Sequence, residues 1–388
     1  MKKIFNILTL VGLLLGVIVG LNIKEIPLVI DLIGTWYIKI LKIFITPVLF
    51  TSIAITIYET SKKKNGLIGK SVLLFTIMYT ITFIISSVVV LIINPANAFI
   101  FEGVEWSGNT TTFNVTNALT SLLPSSLSDI FVNPKVFFVI VVAYLFGKIC
   151  SLIKGTEKIF SALTTFKKYV NKVFEYFMYV TPIATFALIT STISKYGYIL
   201  LGIGAKYILV AYICGIIALI LVMILPVYLV KKVNPIEYIK KVYKVWIITL
   251  STCSSAATLP YTVKVCKDDF GIDSEVTDVV VPLGCTIHMC GGAVSFALLG
   301  LFCSKLYGVE INLGIYLLML LSSLLINMAA PGIPGGGIVI GATYLQLLGI
   351  PLGFIGFYSG IYKFLDMCYT TLNVTGDISA NILLNKKA

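Results

Sequence analysis

Two segments decide the fold of this chain of 388 residues: "VWIITLSTCSSAATLPYTVKVC" at residues 245–266 and "LLINMAAPGIPGGGIVIGATYLQLLGIP" at residues 324–351. Each has two short apolar arms joined by a tip of small residues and proline, so neither predicts one straight helix. Irregular backbone at membrane depth is tolerated only where it is buried in protein or lines a watery cavity, because an unpaired amide in lipid costs several kcal/mol. The pair therefore predicts two re-entrant helical hairpins that meet at a substrate site.

The composition is that of a membrane protein. Hydrophobic residues make up 58% of the chain and charged residues 12%, whereas a soluble domain carries about 25% charged residues. Apolar stretches long enough to cross about 30 Å of hydrocarbon as helices recur along the chain, and the alternating pattern of an outer-membrane barrel is missing. We therefore expect an all-α, multi-pass integral membrane protein.

Six strongly apolar helices are predicted before the first hairpin. They cover residues 4–22, 31–60, 69–94, 135–153, 168–194 and 198–232. The hairpins are expected at 238–268 and 312–350, and one full helix follows each of them, at 276–304 and 353–383. This duplicated unit predicts eight transmembrane helices, two re-entrant hairpins and inverted repeats.

Lysines mark one side of the predicted membrane protein. They cluster in short connections at residues 2–3, 62–70, 154–172, 231–244 and 386–387, and the net charge is +12. The loop at 97–133 carries Glu102 and Glu105 and no lysine. Because positively charged loops are cytoplasmic, both termini are predicted to lie on the cytoplasmic side of the cell membrane. Topology explains the positive charge, and no nucleic-acid partner is expected.

The last predicted helix carries a polar stripe. Asp366, Tyr369, Asn373 and Asp377 recur at i, i+3, i+7 and i+11, which places them on one helical face. An ionised carboxylate in a membrane helix costs at least about 2.5 kcal/mol, so it normally faces a partner, an ion or a cavity. A stripe that only joins helices is the alternative, but two carboxylates around an asparagine favour a site for cations and ammonium groups.

Three further features accompany this stripe. Lys363 precedes Asp366 by three residues and either pairs with it or extends to the membrane surface. In the first hairpin, Ser254 and Ser255 precede small residues that leave hydroxyls and amides open to a carboxylate, although serines also merely cap helices. The tip of the second hairpin, at 331–337, favours a flexible cover or a plain turn.

Together these motifs resemble the dicarboxylate/amino acid:cation symporters, the glutamate transporter family. "TCSSAATLP" is similar to the first hairpin of that family, "PGIPGGG" to its second and "LDMCYTTLNVTGD" to its eighth helix. The resemblance implies a transporter and not an enzyme, and a homotrimer in the lipid bilayer. It also implies a scaffold formed by residues 1–60 and 135–194, and a transport unit formed by 69–94 and 198–388 that moves like an elevator.

The resemblance implies the binding residues as well. Asp366 would bind a substrate amino group, Ser255 and the hairpin amides its α-carboxylate, and Asn373 would lie beside that carboxylate or a cation. One sodium ion would bind to Asp377, Asn373 and the carbonyl of Gly284, and another to carbonyls near Thr286 and at 327–330. The residues assigned to substrate are Ser254, Ser255, Gly292, Ile333, Gly335, Asp366, Tyr369, Thr370 and Asn373, and those assigned to cations are Gly284, Thr286, His288, Asn327, Asn373 and Asp377.

Departures from the family pattern determine the predicted substrate. Tyr369 stands where acid-selective members carry an arginine, and Cys253 stands where other members carry one. A side-chain carboxylate would therefore lack a bidentate partner. Gly292 replaces a threonine and makes room at the side-chain end of the substrate. We predict import of a neutral amino acid or small zwitterion; the alternative is an acidic amino acid or dicarboxylate with Lys363 as its counter-ion.

The single histidine is the departure that bears on ion coupling. His288 stands where the family has an asparagine, and Cys290 replaces an aspartate that helps to hold sodium, so we expect fewer sodium ions than in the family. His288 either exchanges a cation for a proton or replaces the asparagine as a hydrogen-bonding residue that unwinds a helix. Less favoured interpretations are a transition-metal transporter or sensor that uses Cys285, His288 and Cys290, and a hydrolase that uses Ser255 and His288.

Overall fold

The computed structural model describes residues 2–23, 25–62, 66–96, 136–196, 199–327 and 336–385, and these ranges contain helices and no β-strand. The helices are α1 (Lys2–Asn22), α2 (Leu28–Lys62), α3 (Gly66–Ile93), α4 (Val136–Leu152), α5 (Glu157–Met178), α6 (Thr181–Tyr196), α7 (Ile199–Ala218), α8 (Leu225–Lys231), α9 (Pro235–Thr252), α10 (Ser255–Lys264), α11 (Ser274–Ile287), α12 (Cys290–Leu306), α13 (Leu313–Asn327), α14 (Gly336–Leu347) and α15 (Gly353–Leu384). A π-helical segment, Leu219–Ile224, joins α7 to α8, and another, Val265–Asp269, follows α10. The prediction of an all-α chain is confirmed for these ranges, whereas the predicted outer loop at 97–133 lies outside them.

Three helical segments of the described chain are long and apolar enough to cross a membrane: Gly66–Ile93, Gly202–Lys231 and Ser274–Leu306. The last of these lies deepest, since 89% of its most apolar stretch is buried, against 39% and 44% in the other two. Protein therefore surrounds α11 and α12, while α3 and α7 present apolar side chains outward. The number of eight spans stays a prediction.

The helices make their contacts in two groups. In the first, α1 packs on α6, and α2 packs on α4, α5 and α6. In the second, α15 contacts α7, α9, α11, α12 and α14, and α3 packs on α12. Contacts of α15 with α6 and of α14 with α2 join the groups. The division into a scaffold and a moving unit stays a prediction, because contacts in one state do not reveal motion.

Three predicted helices differ in the structure. The span expected at 168–194 is divided between α5 and α6, because Pro182 fits the first turn of a new helix and not a helix interior. The span at 198–232 widens into its π-helical segment just before Pro226, whose ring does not fit a regular α-helical turn. The span at 276–304 is interrupted at His288 and Met289, where ψ values of 98° and 75° separate α11 from α12.

In each predicted hairpin the two arms form helices that contact each other. In the first, only Cys253 and Ser254 separate α9 from α10. Cys253 has a φ of 49°, in the left-handed region that few residues other than glycine adopt. The Ser254 hydroxyl accepts a hydrogen bond from the amide of Ala257 at 3.2 Å and so caps α10. In the second, α13 and α14 are the arms, and the tip with Ile333 and Gly335 lies outside the described residues.

A glycine stripe on α1 sets how closely that helix packs against α6. Gly12, Gly16 and Gly20 recur at every fourth position and face α6. A Cβ atom at Gly16 would lie 2.9 Å from the carbonyl oxygen of Phe186 and 3.0 Å from the Cβ of Ile189. Small residues at this spacing let two membrane helices approach closely, so a larger side chain here must push the helices apart.

We expect Gly16→Leu to destabilise the detergent-solubilised protein by about 1–3 kcal/mol, the usual cost of overpacking. Size-exclusion chromatography after heating would measure the loss. Gly202→Leu in α7 is the matched control, because a Cβ atom at Gly202 meets nothing within 4 Å. Equal losses from both substitutions would contradict the role of the stripe.

Candidate functional site

A cavity lies where the first hairpin tip, the break between α11 and α12, the second hairpin and α15 meet. Its accessible space is about 50 Å³, which holds only a few water-sized groups and suits a small enclosed ligand. The described residues that line it are Cys253, Ser255, Met289, Gly292, Ser295, Phe296, Asn327, Gly337, Ile340, Tyr362, Asp366, Tyr369, Thr370 and Asn373.

The structure brings most of the predicted substrate residues together in this lining. They are Ser255, Gly292, Asp366, Tyr369, Thr370 and Asn373. Ser254 lies one position away and caps α10 instead. Sequence analysis did not single out Tyr362, Ser295 or Gly337 as binding residues. Tyr362 lies one turn before Asp366 and Ser295 one turn after Gly292, so helical spacing could have indicated both.

Two helices begin at the cavity. α10 starts at Ser255 and α12 starts immediately after Met289, and both of these residues line the cavity. The first amides of a helix have no acceptor within it, and the helix dipole places about +0.5 charge at that end. Two such ends give the cavity a positive character without an arginine and favour an anionic ligand.

Asp366 contributes a carboxylate to the cavity and is 8% exposed. Its Oδ1 accepts hydrogen bonds from the hydroxyl of Thr370 at 3.2 Å and the hydroxyl of Tyr362 at 3.5 Å. The Tyr362 hydroxyl also lies against Gly337 of α14, where a Cβ atom would collide with it. Asp366 is therefore oriented by its own helix and lies one side chain away from the second hairpin.

Two asparagines hold the interrupted backbone between α11 and α12. Asn373 Oδ1 accepts a hydrogen bond from the amide of Gly291 at 2.7 Å, and Asn327 Nδ2 donates to the carbonyl of Met289 at 3.1 Å. Asn327 also fills the space beside Gly292, because a Cβ atom there would collide with Asn327 Oδ1. The room that sequence analysis assigned to the substrate at Gly292 is thus occupied by Asn327.

The predicted cation residues form a neighbouring cluster. Asp377 is 2% exposed, and its Oδ1 lies 3.0 Å from Nδ1 of His288. The carboxylate also lies directly against Gly284. By contrast, the side chain of Thr286 is exposed, and its hydroxyl donates to the carbonyl of Leu283. Gly284, His288 and Asp377 therefore meet, while only the backbone of Thr286 remains available for the predicted role.

Lys363 lies behind the cavity wall. It is half-buried, and its ammonium donates a hydrogen bond to the Sγ of Cys253 at 3.1 Å. Cys253 itself lines the cavity. The positive charge of Lys363 is thus one side chain away from a ligand in the cavity.

The less favoured interpretations find no support in this geometry. The described part of the chain has no group of three or more His, Cys, Asp or Glu side chains that could hold a metal ion. The ring nitrogens of His288 contact Asp377 and Cys290, so neither is placed to activate Ser255 as a nucleophile.

Comparison with known proteins decides the family. A family model described as the sodium:dicarboxylate symporter family matches residues 5–387. The chain belongs to this family. The predicted resemblance is therefore confirmed, and sodium:dicarboxylate symporters are transporters rather than enzymes, which agrees with the expectation that the chain is not an enzyme.

Several curated relatives in this family are similar over nearly their whole length. A proton/sodium-glutamate symport protein of Geobacillus stearothermophilus is 26% identical and covers 97% of this chain and 92% of its own. A C4-dicarboxylate transport protein of Bordetella avium is 26% identical, with coverage of 98% and 88%. A proton/glutamate-aspartate symporter of Bacillus subtilis is 23% identical, with coverage of 100% and 95%. A membrane symporter of small molecules is therefore the class of protein.

Asn373 is expected to stabilise this symporter in the absence of substrate. Asn373→Ala leaves the buried amide of Gly291 without an acceptor, at a cost of about 1–3 kcal/mol. Thermal unfolding of the purified protein would show the loss. Asn22→Ala is the control, because the amide of Asn22 makes an exposed bond to the carbonyl of Ile18. An unfolding midpoint for Asn373→Ala equal to that of the control would contradict the anchoring role.

Proposed function

We propose that this chain is a secondary active symporter that imports a small anionic substrate, an acidic amino acid or a dicarboxylate, with sodium ions or protons. The observation that carries the proposal is the convergence of the N-termini of α10 and α12 on one cavity, with the Lys363 ammonium behind its wall. Both features stabilise negative charge. The relatives named for glutamate, aspartate and C4-dicarboxylates support the same class.

Several polar groups at the cavity have a role in this proposal. Asp366, oriented by Thr370, receives the ammonium of an amino acid. Ser255 and the first amides of α10 bind one carboxylate. The second carboxylate lies towards Lys363 and Tyr369. The Tyr369 hydroxyl supports this placement, because it is buried and has no hydrogen-bond partner among the described residues, so a ligand oxygen would satisfy it.

The expectation of a neutral amino acid gains no support from the relatives, whose names fit the alternative better. That expectation depended on finding Cys253 and Tyr369 at the two positions where family members carry an arginine. It left out the N-terminus of α12, which lies beside the cavity because the backbone is broken at His288 and Met289. In this proposal, partial charges on backbone amides bind the substrate carboxylate, as the guanidinium of an arginine does in the acid-selective members of the family.

The cation is a second substrate of the proposed symporter. The relatives are coupled to protons or sodium according to their names. We place one sodium ion between the carbonyl of Gly284, Asn373 and Asp377, where a buried carboxylate and uncharged oxygens offer the hard ligands that such ions prefer. Carbonyls near Thr286 and Asn327 supply another site, whose remaining members at 328–330 lie outside the described residues.

The cellular setting belongs to the same proposal. The lysine-rich connections support a cell-membrane protein with both termini in the cytoplasm. The family resemblance supports a homotrimer in which residues 1–60 and 135–194 form the fixed part. In that arrangement the cavity moves with α15 and the two hairpins across the bilayer.

Uptake into liposomes tests the substrate class. Purified protein would be reconstituted under a sodium or a proton gradient and supplied with glutamate, aspartate, succinate, serine or alanine. We expect uptake of at least one of the three acids. Uptake of serine or alanine without any acid would overturn the proposal and restore the neutral substrate.

Lys363→Met tests the counter-ion in the same assay. Loss of a partly buried positive partner weakens binding of a carboxylate by about tenfold or more, so uptake at low acid concentration should fall and recover at high concentration. Lys305→Met is the control, since Lys305 is exposed at the far end of α12. Unchanged uptake by Lys363→Met would remove Lys363 from the site.

A further inference from the structure

The imidazole of His288 is held by contacts on its nitrogens, its face and its edge. Nδ1 lies 3.0 Å from Asp377 Oδ1, and Nε2 lies 3.1 Å from Cys290 Sγ. The ring stacks on Phe75 of α3, with ring centres 4.4 Å apart and planes at 11°. His288 is 1% exposed. These contacts fix both the position and the orientation of the ring.

The backbone of α15 closes the remaining edge of the ring. A Cβ atom at Gly376 would lie 2.6 Å from His288 Cε1, so the helix can approach the imidazole this closely only with glycine at that position. The imidazole of His288 thus fills the space between Asp377 and Cys290.

An ionised Asp377 leaves one arrangement of protons at the ring. In that state the carboxylate only accepts, so Nδ1–H donates to Asp377 Oδ1. Nε2 then accepts from the thiol of Cys290. Both ring nitrogens are satisfied by a neutral imidazole. The backbone amide of His288 donates to the carbonyl of Gly284 at 2.8 Å, which fixes the end of α11 at the same point.

We propose that His288 takes the place of a coupling cation. A buried carboxylate in a membrane protein needs a donor or a cation beside it, and the chain itself supplies that donor to Asp377 Oδ1. A cation that used this oxygen would take the acceptor away from Nδ1 of His288. Only Asp377 Oδ2 remains for the sodium site proposed above.

Two consequences follow for the transporter. The break between α11 and α12 is held in place without an ion, because His288 connects it to α15. The carrier also moves fewer cations with each substrate molecule than it would with Asp377 fully open. This second consequence rests on the proposed function, whereas the pairing of His288 with Asp377 does not.

Thermal unfolding in two salts tests the replacement without any substrate. In His288→Asn the shorter side chain cannot reach both Asp377 and Cys290, so Asp377 loses its donor and needs a cation. We expect sodium chloride, compared with choline chloride, to raise the unfolding midpoint of this variant by about 3 °C or more beyond its effect on the native protein. An equal effect of sodium on both proteins would overturn the proposal.

A second substitution identifies the carboxylate responsible. Adding Asp377→Asn to His288→Asn removes the charge that requires a cation, so the extra sodium effect should disappear. If His288→Asn does not fold in either salt, recovery of folded protein in the double variant supports the pairing, and failure to recover overturns it. Cys290→Ser, which keeps a donor to Nε2, should respond to sodium as the native protein does.

The liposome assay adds a readout of stoichiometry. Uptake by His288→Asn should depend more steeply on sodium concentration than native uptake, because an ion is then needed at Asp377 Oδ1 in addition to the one proposed at Oδ2. An unchanged steepness would overturn the stoichiometric part of the inference. Absence of acid uptake by the native protein would instead contradict the proposed function, and the unfolding result would stand apart from it.

Discussion

A helix that breaks among apolar neighbours exposes amides and carbonyls that neither lipid nor a hydrophobic core can satisfy. At the centre of this symporter, side chains form hydrogen bonds with these amides and carbonyls. The amide of Ala257 is bonded by Ser254, the amide of Gly291 by Asn373 and the carbonyl of Met289 by Asn327. Two of these partners come from other helices, so the interrupted backbone also fastens α12 to α13 and α15.

The helix ends at these breaks also contribute to ligand binding in the proposed function. The N-termini of α10 and α12 lie beside one cavity and give it positive character, while Asp366 adds a negative group. Lys363 lies behind Cys253, which adopts a backbone conformation unusual for its residue type. In the proposed function, this arrangement of charges suits an acidic amino acid, whose ammonium meets Asp366, or a dicarboxylate.

Local sequence patterns predicted the hairpins and the polar face of α15, because proline, small residues and helical spacing are visible without knowledge of the fold. Local patterns did not predict the break at His288 and Met289; only the family resemblance offered it, as one of two interpretations of His288. Neither residue is a glycine or proline, and the apolar pattern continues across both. Asn327 and Asn373 hold that break from distant parts of the chain, so its cause is tertiary. The contribution of the α12 N-terminus to the cavity was missed for the same reason, since the break creates that helix end.

The contact between Tyr362 and Gly337 links two events that are separate in the sequence. The phenol rests on the arm of the second hairpin while its hydroxyl reaches Asp366. In the proposed function, an ammonium bound at Asp366 would compete with the Tyr362 hydroxyl for the same oxygen. The ring of Tyr362 would thereby connect substrate binding to α14, and only a glycine at position 337 lets the ring lie this close to that helix.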